Sequence, residues 1–128
     1  MAKAPLELGS AELDVLKVLW DRGPRTVREV LDEMHDRGRR VAYTTVLTLL
    51  TRLEQKGAVV SDKSEQAYVY RPKLTRERVT ATRLRTLVQQ LYDGAATPLV
   101  LQLMQSEKFS PEEIAQLQQL IDRLEPKD

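Results

Sequence analysis

Apolar residues recur along this chain in a helical rhythm, and polar residues fill the faces between them. From Val41 to Gly57, Val46, Leu49, Leu50 and Leu53 share one face at i, i+3, i+4 and i+7. The opposite face holds Thr44, Thr48, Thr51 and Gln55, with Thr45 and Arg52 on its flanks. A merely solvated helix would place Glu and Lys there. Short neutral hydrogen-bonding groups without an acid suit entry into a DNA major groove, where hydroxyls and amides meet base edges and phosphates.

The same rhythm predicts two helices before this one and three after it. The first starts at Ser10 as N-cap and runs to about Asp21. Leu13, Leu16, Leu19 and Trp20 form its apolar side, and Trp20 is read as core. Glu12 and Asp14 lie in the first turn, where the helix dipole favours acids, and Gly23-Pro24 stops the helix. Thr26-Val-Arg-Glu29 is a capping box for the second helix. Its buried stripe is Val27, Val30, Leu31 and Met34, and Gly38 ends it. After the connector Arg39-Arg40-Val41, the third helix spans about Tyr43 to Lys56 and stops at Gly57. Ala58–Ser61 and Ala67–Arg71 then alternate as strands around a polar turn at 62–66, closed by Pro72. Tyr68 and Tyr70 fall on one side of the second strand and Val69 on the other.

Three helices followed by a two-stranded hairpin is the order of a winged helix, a variant of the helix-turn-helix. Many winged helices bind proteins, so the order alone leaves an adaptor open beside a DNA binder.

The remainder predicts helices only. One runs from about Thr75 to Tyr92 with Leu84, Leu87, Val88 and Leu91 on a stripe, and Gly94 ends it. Thr97-Pro98, N-cap and N1 proline, open a fifth helix that spans Leu99 to about Ser106. Ser110-Pro-Glu-Glu113 opens a sixth, carrying Ile114, Leu117, Leu120, Ile121 and Leu124. The fifth helix is apolar nearly all round, through Leu99, Val100, Leu101, Leu103 and Met104, and such a helix expects burial on several sides. Three short helices cannot enclose these residues alone. A second copy of the chain is the expected cover, in a C2 homodimer; folding back onto the winged helix is the alternative. The fold class is thus mainly α with a small β-hairpin. Residues 1–73 form a winged helix-turn-helix domain, and 74–128 a three-helix dimerisation domain.

The chain has 128 residues and a net charge of +1. The distribution of charge is more telling. Residues 37–56 carry Arg37, Arg39, Arg40, Arg52 and Lys56 against Glu54. Residues 71–85 carry six basic residues against Glu77, while residues 86–128 carry three against seven acids. A polyanion is therefore expected to meet the first two-thirds of the chain. No membrane span, leader or cysteine is visible, which points to the cytoplasm. No metal or cofactor is expected. His35, the single histidine, reads as a surface residue. Cysteine is absent and the five glycines read as helix boundaries, so no nucleophile–base pair or phosphate loop is available and no catalysis is expected.

Four segments together resemble the penicillinase-repressor family of the BlaI/MecI type. They are Leu8–Trp20, Thr26–Val30, Ala42–Gly57, and Leu91–Gly94 with the Ser-Pro-Glu-Glu helix after it. The likeness covers about residues 6–124. It implies an N-terminal winged helix, a helical C-terminal dimerisation domain, and repression by a dimer bound to a palindromic operator. It also implies a switch, in which a membrane sensor-protease responding to β-lactam leads to cleavage in the C-terminal domain. The bond cut in relatives joins a small polar residue to an aromatic one, and Gln102–Leu103 takes its place here without matching either type. The copper-binding cysteines of other relatives are missing.

Under this reading Tyr43, Thr44, Thr45 and Thr48 are candidates for base edges and nearby phosphates. Tyr43 packing as a staple at the helix start is the alternative. Arg52, Gln55, Lys56, Arg39 and Arg40 are candidates for phosphates, and Lys63 and Arg71 of the hairpin for backbone or minor groove. Leu84, Leu87, Val88, Leu91, Leu99, Leu103, Ile114, Leu117, Ile121 and Leu124 are candidates for the dimer interface. Arg76, Arg78, Arg83 and Arg85 have two readings, an extended DNA footprint or a solvated face near a hinge. An architectural DNA binder, indifferent to sequence, is the remaining rival.

Overall fold

A computed structural model describes residues 7–125 of the chain. The absence of a leader was read from the first eight residues, and positions 1–6 lie outside the described part. The elements are α1 (Ser10–Arg22), β1 (Arg25–Thr26), α2 (Val27–Asp36), α3 (Tyr43–Gln55), β2 (Val59–Asp62), β3 (Val69–Pro72), α4 (Arg76–Tyr92), α5 (Thr97–Ser106) and α6 (Pro111–Leu124). The chain divides into two compact units, Met1–Thr86 and Leu87–Asp128, so the division falls inside α4.

In the first unit the expected stripes of α2 and α3 are buried: Val27, Val30, Leu31 and Met34, then Val46, Leu49, Leu50 and Leu53. The helix ends are set as their sequences predict. Thr26 and Glu29 exchange reciprocal bonds of 3.2 and 2.9 Å in a capping box. Gly57 adopts φ 78°, which lets its N–H reach Glu54 O and that of Ala58 reach Leu53 O. Gly38, at φ 83°, closes α2 in the same manner. These are Schellman ends, and L-residues rarely supply that φ.

Three details differ from expectation. The N-cap of α1 is Gly9 rather than Ser10, because the Glu12 carboxylate holds the Gly9 N–H at 3.0 Å. The inward side of α1 is Val15, Leu16, Val18 and Leu19, whereas Leu13 and Trp20 are half-buried. The helix is covered by α2, α3 and β3 together, so its buried arc is wider than one stripe. The hairpin also supplies only two strands of a three-stranded sheet. β1 pairs with β3 (Arg25 with Tyr70, Thr26 with Val69), giving an antiparallel sheet in the order β1-β3-β2. Both hairpin strands sit one or two residues later than the sequence pattern placed them. Tyr70 is buried and Tyr68 exposed.

The second unit is built differently. Ser110 and Glu113 form the expected capping box, with bonds of 2.8 and 3.1 Å. Pro98 lies in the first turn of α5, which begins at Thr97 with Ala96 as cap. No residue of α5 or α6 is buried. No helix of the described residues is long and apolar enough to cross a membrane.

Candidate nucleic-acid interface

The outer face of α3 is exposed along its length, from Tyr43 through Thr44, Thr45, Thr48, Thr51 and Arg52 to Gln55 and Lys56. Thr44, Thr45, Thr48 and Arg52 line a shallow hollow of about 270 Å³ together with Leu49. The hydroxyls on this face are in two states. Thr48 Oγ1 donates to Thr44 O at 2.9 Å, and Thr51 Oγ1 donates to Leu47 O at 2.8 Å. Their protons are used, so they offer only lone pairs and methyl groups outward. The Thr44 and Thr45 hydroxyls have no partner among the described residues and can both donate and accept. Leu47 belonged to neither face as read from the sequence, yet it is exposed beside Thr44 and Thr51. An apolar side chain there suits a thymine methyl.

The single acid of α3 is taken out of the way, since Glu54 accepts a hydrogen bond from the Ser61 hydroxyl of β2. Glu54 also helps to raise the Tyr70 phenol above its ordinary pKa, after burial as the larger cause. Tyr43 lies under Arg28 of α2, with the guanidinium 5.4 Å from the ring centroid. Arg28 was not among the candidates, because nothing within α2 announces a partner on α3.

The structure divides the cations assigned to phosphates. Arg40, Arg52 and Arg71 are exposed and have no ion pair among the described residues. Lys63, in the turn between β2 and β3, lies 5.6 Å from the centroid of Tyr68, and its ammonium remains at the surface. Lys56 and Arg39 are engaged. Lys56 Nζ donates to Glu12 Oε1 at 2.8 Å and to Glu7 O at 2.7 Å. Arg39 Nη2 lies 2.7 Å from Asp14 Oδ2, a close ion pair outside hydrogen-bond geometry. Glu12 and Asp14 thus act as anchors for cations around α3, a role that their place in the first turn of α1 did not reveal. Burial of Glu12 pushes its carboxyl up, but the Lys56 ammonium, the Gly9 N–H and the Arg52 charge outweigh it and hold the pKa below 4.5.

His35 is exposed, and its Nε2 lies 2.9 Å from Val41 O, bridging the end of α2 to the connector. No group of three or more His, Cys, Asp and Glu among the described residues could hold a metal ion. The residues expected at a dimer interface differ in exposure. Leu84, Leu87, Leu91, Leu103, Ile114, Ile121 and Leu124 are exposed, while Val88, Leu99 and Leu117 are half-buried. Gln102 and Leu103 lie within α5, both exposed.

The model of the penicillinase repressor family matches residues 8–123. The chain belongs to this family. It is 28% identical over 127 residues to the penicillinase repressor of Staphylococcus aureus, covering 99% of this chain and 100% of that protein. It is 35% identical over 95 residues to the transcriptional regulator BlaI of Mycobacterium tuberculosis, covering 73% and 68% of the two chains. The solution structure of the DNA-binding domain of the repressor BlaI matches with TM-score 0.52 and 30% identity. It covers 60% of this chain and 93% of that domain. In this penicillinase-repressor family member, the α1-β1-α2-α3-β2-β3 body is a winged helix.

Proposed function

We propose that this DNA-binding transcriptional repressor acts as a homodimer on a palindromic operator, each copy inserting α3 into a major groove. The observation that carries the reading is the outer face of α3, which is exposed, free of acid and headed by the Thr44 and Thr45 hydroxyls, unpartnered among the described residues. Tyr43, Thr44, Thr45 and Thr48 meet base edges and adjacent phosphates, and Leu47 adds an apolar contact. Arg40, Arg52, Gln55, Lys63 and Arg71 meet the backbone. Arg39 and Lys56 reach phosphates only by exchanging Asp14 and Glu12 for phosphate oxygens.

The second copy is supported by the apolar stripes of α4, α5 and α6, whose side chains are exposed or half-buried among the described residues. A cut at Gln102–Leu103 in α5 would separate Leu103 and all of α6 from the rest. Release by a membrane sensor-protease is the form of induction this reading carries. It would require α5 to unwind locally, because proteases bind extended backbone. The reading places the protein in the cytoplasm with its operator.

Selection of genomic fragments bound by the purified protein tests the reading. It should return a two-fold symmetric site with half-site centres about 34 Å, or a multiple of that, apart. Recovery of fragments without shared symmetry defeats it.

A further inference from the structure

The start of α4 is fastened to the winged-helix body by side chains that lie outside α3. Trp20, at the end of α1, donates its indole Nε1–H to Leu74 O at 2.8 Å. The Arg76 guanidinium lies over the same ring, 5.3 Å from its centroid. Arg76 Nη2 is also 2.7 Å from Asp21 Oδ1, and Asp21 Oδ2 takes Arg37 Nη2 at 3.0 Å. Asp21 therefore joins three helices: its own, the end of α2 through Arg37, and the start of α4 through Arg76. One turn along α4, Val79 is buried in the core. A further turn along, Arg83 Nη2 donates to Leu8 O at 2.9 Å.

Residues 76, 79 and 83 stand at i, i+3 and i+7, so these fastenings run along one face of the first turns of α4. An isolated exposed ion pair holds little. Here the exposed pair is continuous with a half-buried Trp and a buried Val, so the whole segment from Leu74 to Arg83 is constrained. Beyond it α4 continues unbroken to Tyr92 and presents Leu84, Leu87 and Leu91, all exposed.

We propose that the Trp20–Asp21–Arg76 junction is a positioning device that determines which half-site spacing the dimer accepts. The inference rests on the reading of a homodimer on a palindrome. Leu84, the first residue of the apolar stripe, directly follows the fastened segment, so loosening the junction would free the body that carries α3 from the start of that stripe. A tight junction presents two α3 helices at one separation. A loose one lets the second half-site bind at several separations, each at a lower effective concentration. This gives Arg76 and Arg83 a structural role that needs no contact with DNA.

The test uses the full chain with Trp20→Phe and Asp21→Asn together. The first removes the indole donor and keeps a ring, the second removes the carboxylate, and neither deletes a cation that could meet a phosphate. Affinity is measured for the selected operator, for the same operator with one base pair added between half-sites, and for a single half-site. One base pair turns the half-site by about 34° and moves it by about 3.4 Å. The wild type should prefer its own spacing by on the order of 100-fold, and the variant by about tenfold or less. The variant should remain a dimer in sedimentation, with half-site affinity within about twofold of wild type. A dimeric variant with undiminished spacing preference overturns the proposal. Should the double variant unfold, Asp21→Asn alone changes a surface group and gives the same readout, and an unchanged preference there overturns it equally. A wild type without any two-half-site operator defeats the functional reading instead.

Discussion

The two units of this chain use apolar residues in opposite ways. In the first, Leu16, Leu19, Met34, Leu50 and Leu53 are fully buried by three helices and a sheet. In the second, α5 and α6 bury no residue, although their apolar side chains are as large and as regularly spaced. Helical periodicity is the same in both, so periodicity reports a face that wants cover without saying whether the chain supplies it. The first unit covers its faces internally and has a polar face of α3 to spare. The first unit thus buries its own core, while the exposed faces of the second are what the proposed second copy would cover.

Substitution within each unit should break this symmetry of pattern most sharply. Leu50→Ala in the buried stripe of α3 should destabilise the first unit by about 2–5 kcal/mol, read from chemical denaturation of the full chain. Leu124→Ala at the exposed end of α6 should change unfolding at low protein concentration by about 0.5 kcal/mol or less. A comparable loss at both sites would mean that Leu124 is buried within the monomer.

Association is the next lever. Ile121→Glu places a charge in the expected interface and should give monomers in sedimentation velocity. It should also lower operator affinity by on the order of 100-fold, because the second half-site is no longer tethered. An unchanged dimer would remove α6 from the interface.

The two classes of cation around α3 can be separated by salt. Arg52→Ala should flatten the dependence of log K on log salt by nearly one unit per protomer, the mark of a lost phosphate contact. Lys56→Met should leave that slope almost unaltered while lowering thermal stability, because it removes the partner of a buried Glu12 carboxylate. An equal change of slope for both would show that Lys56 leaves Glu12 for the backbone of DNA.

The smallest effect concerns acid. The Glu12 carboxyl is held below its ordinary 4.5 in the folded chain. Its contribution is therefore present above that unfolded value and is lost as pH falls below 4.5 through the folded value. Asp21 and Glu33 are depressed as well, by Arg76 and Arg37 and by Arg37 and Arg22 respectively, and add to the same acid limb. Thermal melts from pH 6 to pH 3 should show this decline, and Glu12→Gln should flatten it. Parallel profiles for the two chains would contradict the assignment.

Much of this was legible along the sequence because it is local. The boxes Thr26–Glu29 and Ser110–Glu113 and the ends at Gly38 and Gly57 each lie within a few residues, and the two faces of α3 follow from its own period. Contacts between distant residues were not legible. Glu12 looks like an acid placed for the helix dipole until Lys56, 44 residues away, is seen beside it. Asp21 and Trp20 meet Arg76 across more than 50 residues. β1 was missed because two residues carry no alternation, and its pairing to β3 is decided by the fold that brings Tyr70 and Val69 to it. Leu47 was passed over because an apolar residue beside a buried stripe is ordinarily assigned to it.

The threonine face of α3 is the part of the molecule proposed to distinguish one DNA sequence from another. Binding of Thr44→Ala to the selected operator and to random DNA of equal length, at one salt concentration, addresses this most directly. The hydroxyl is exposed and unpartnered among the described residues, so its loss should leave folding intact. The account predicts a loss of about 1–3 kcal/mol on the operator and no change on random DNA. Equal loss on both, or none on either, would contradict it.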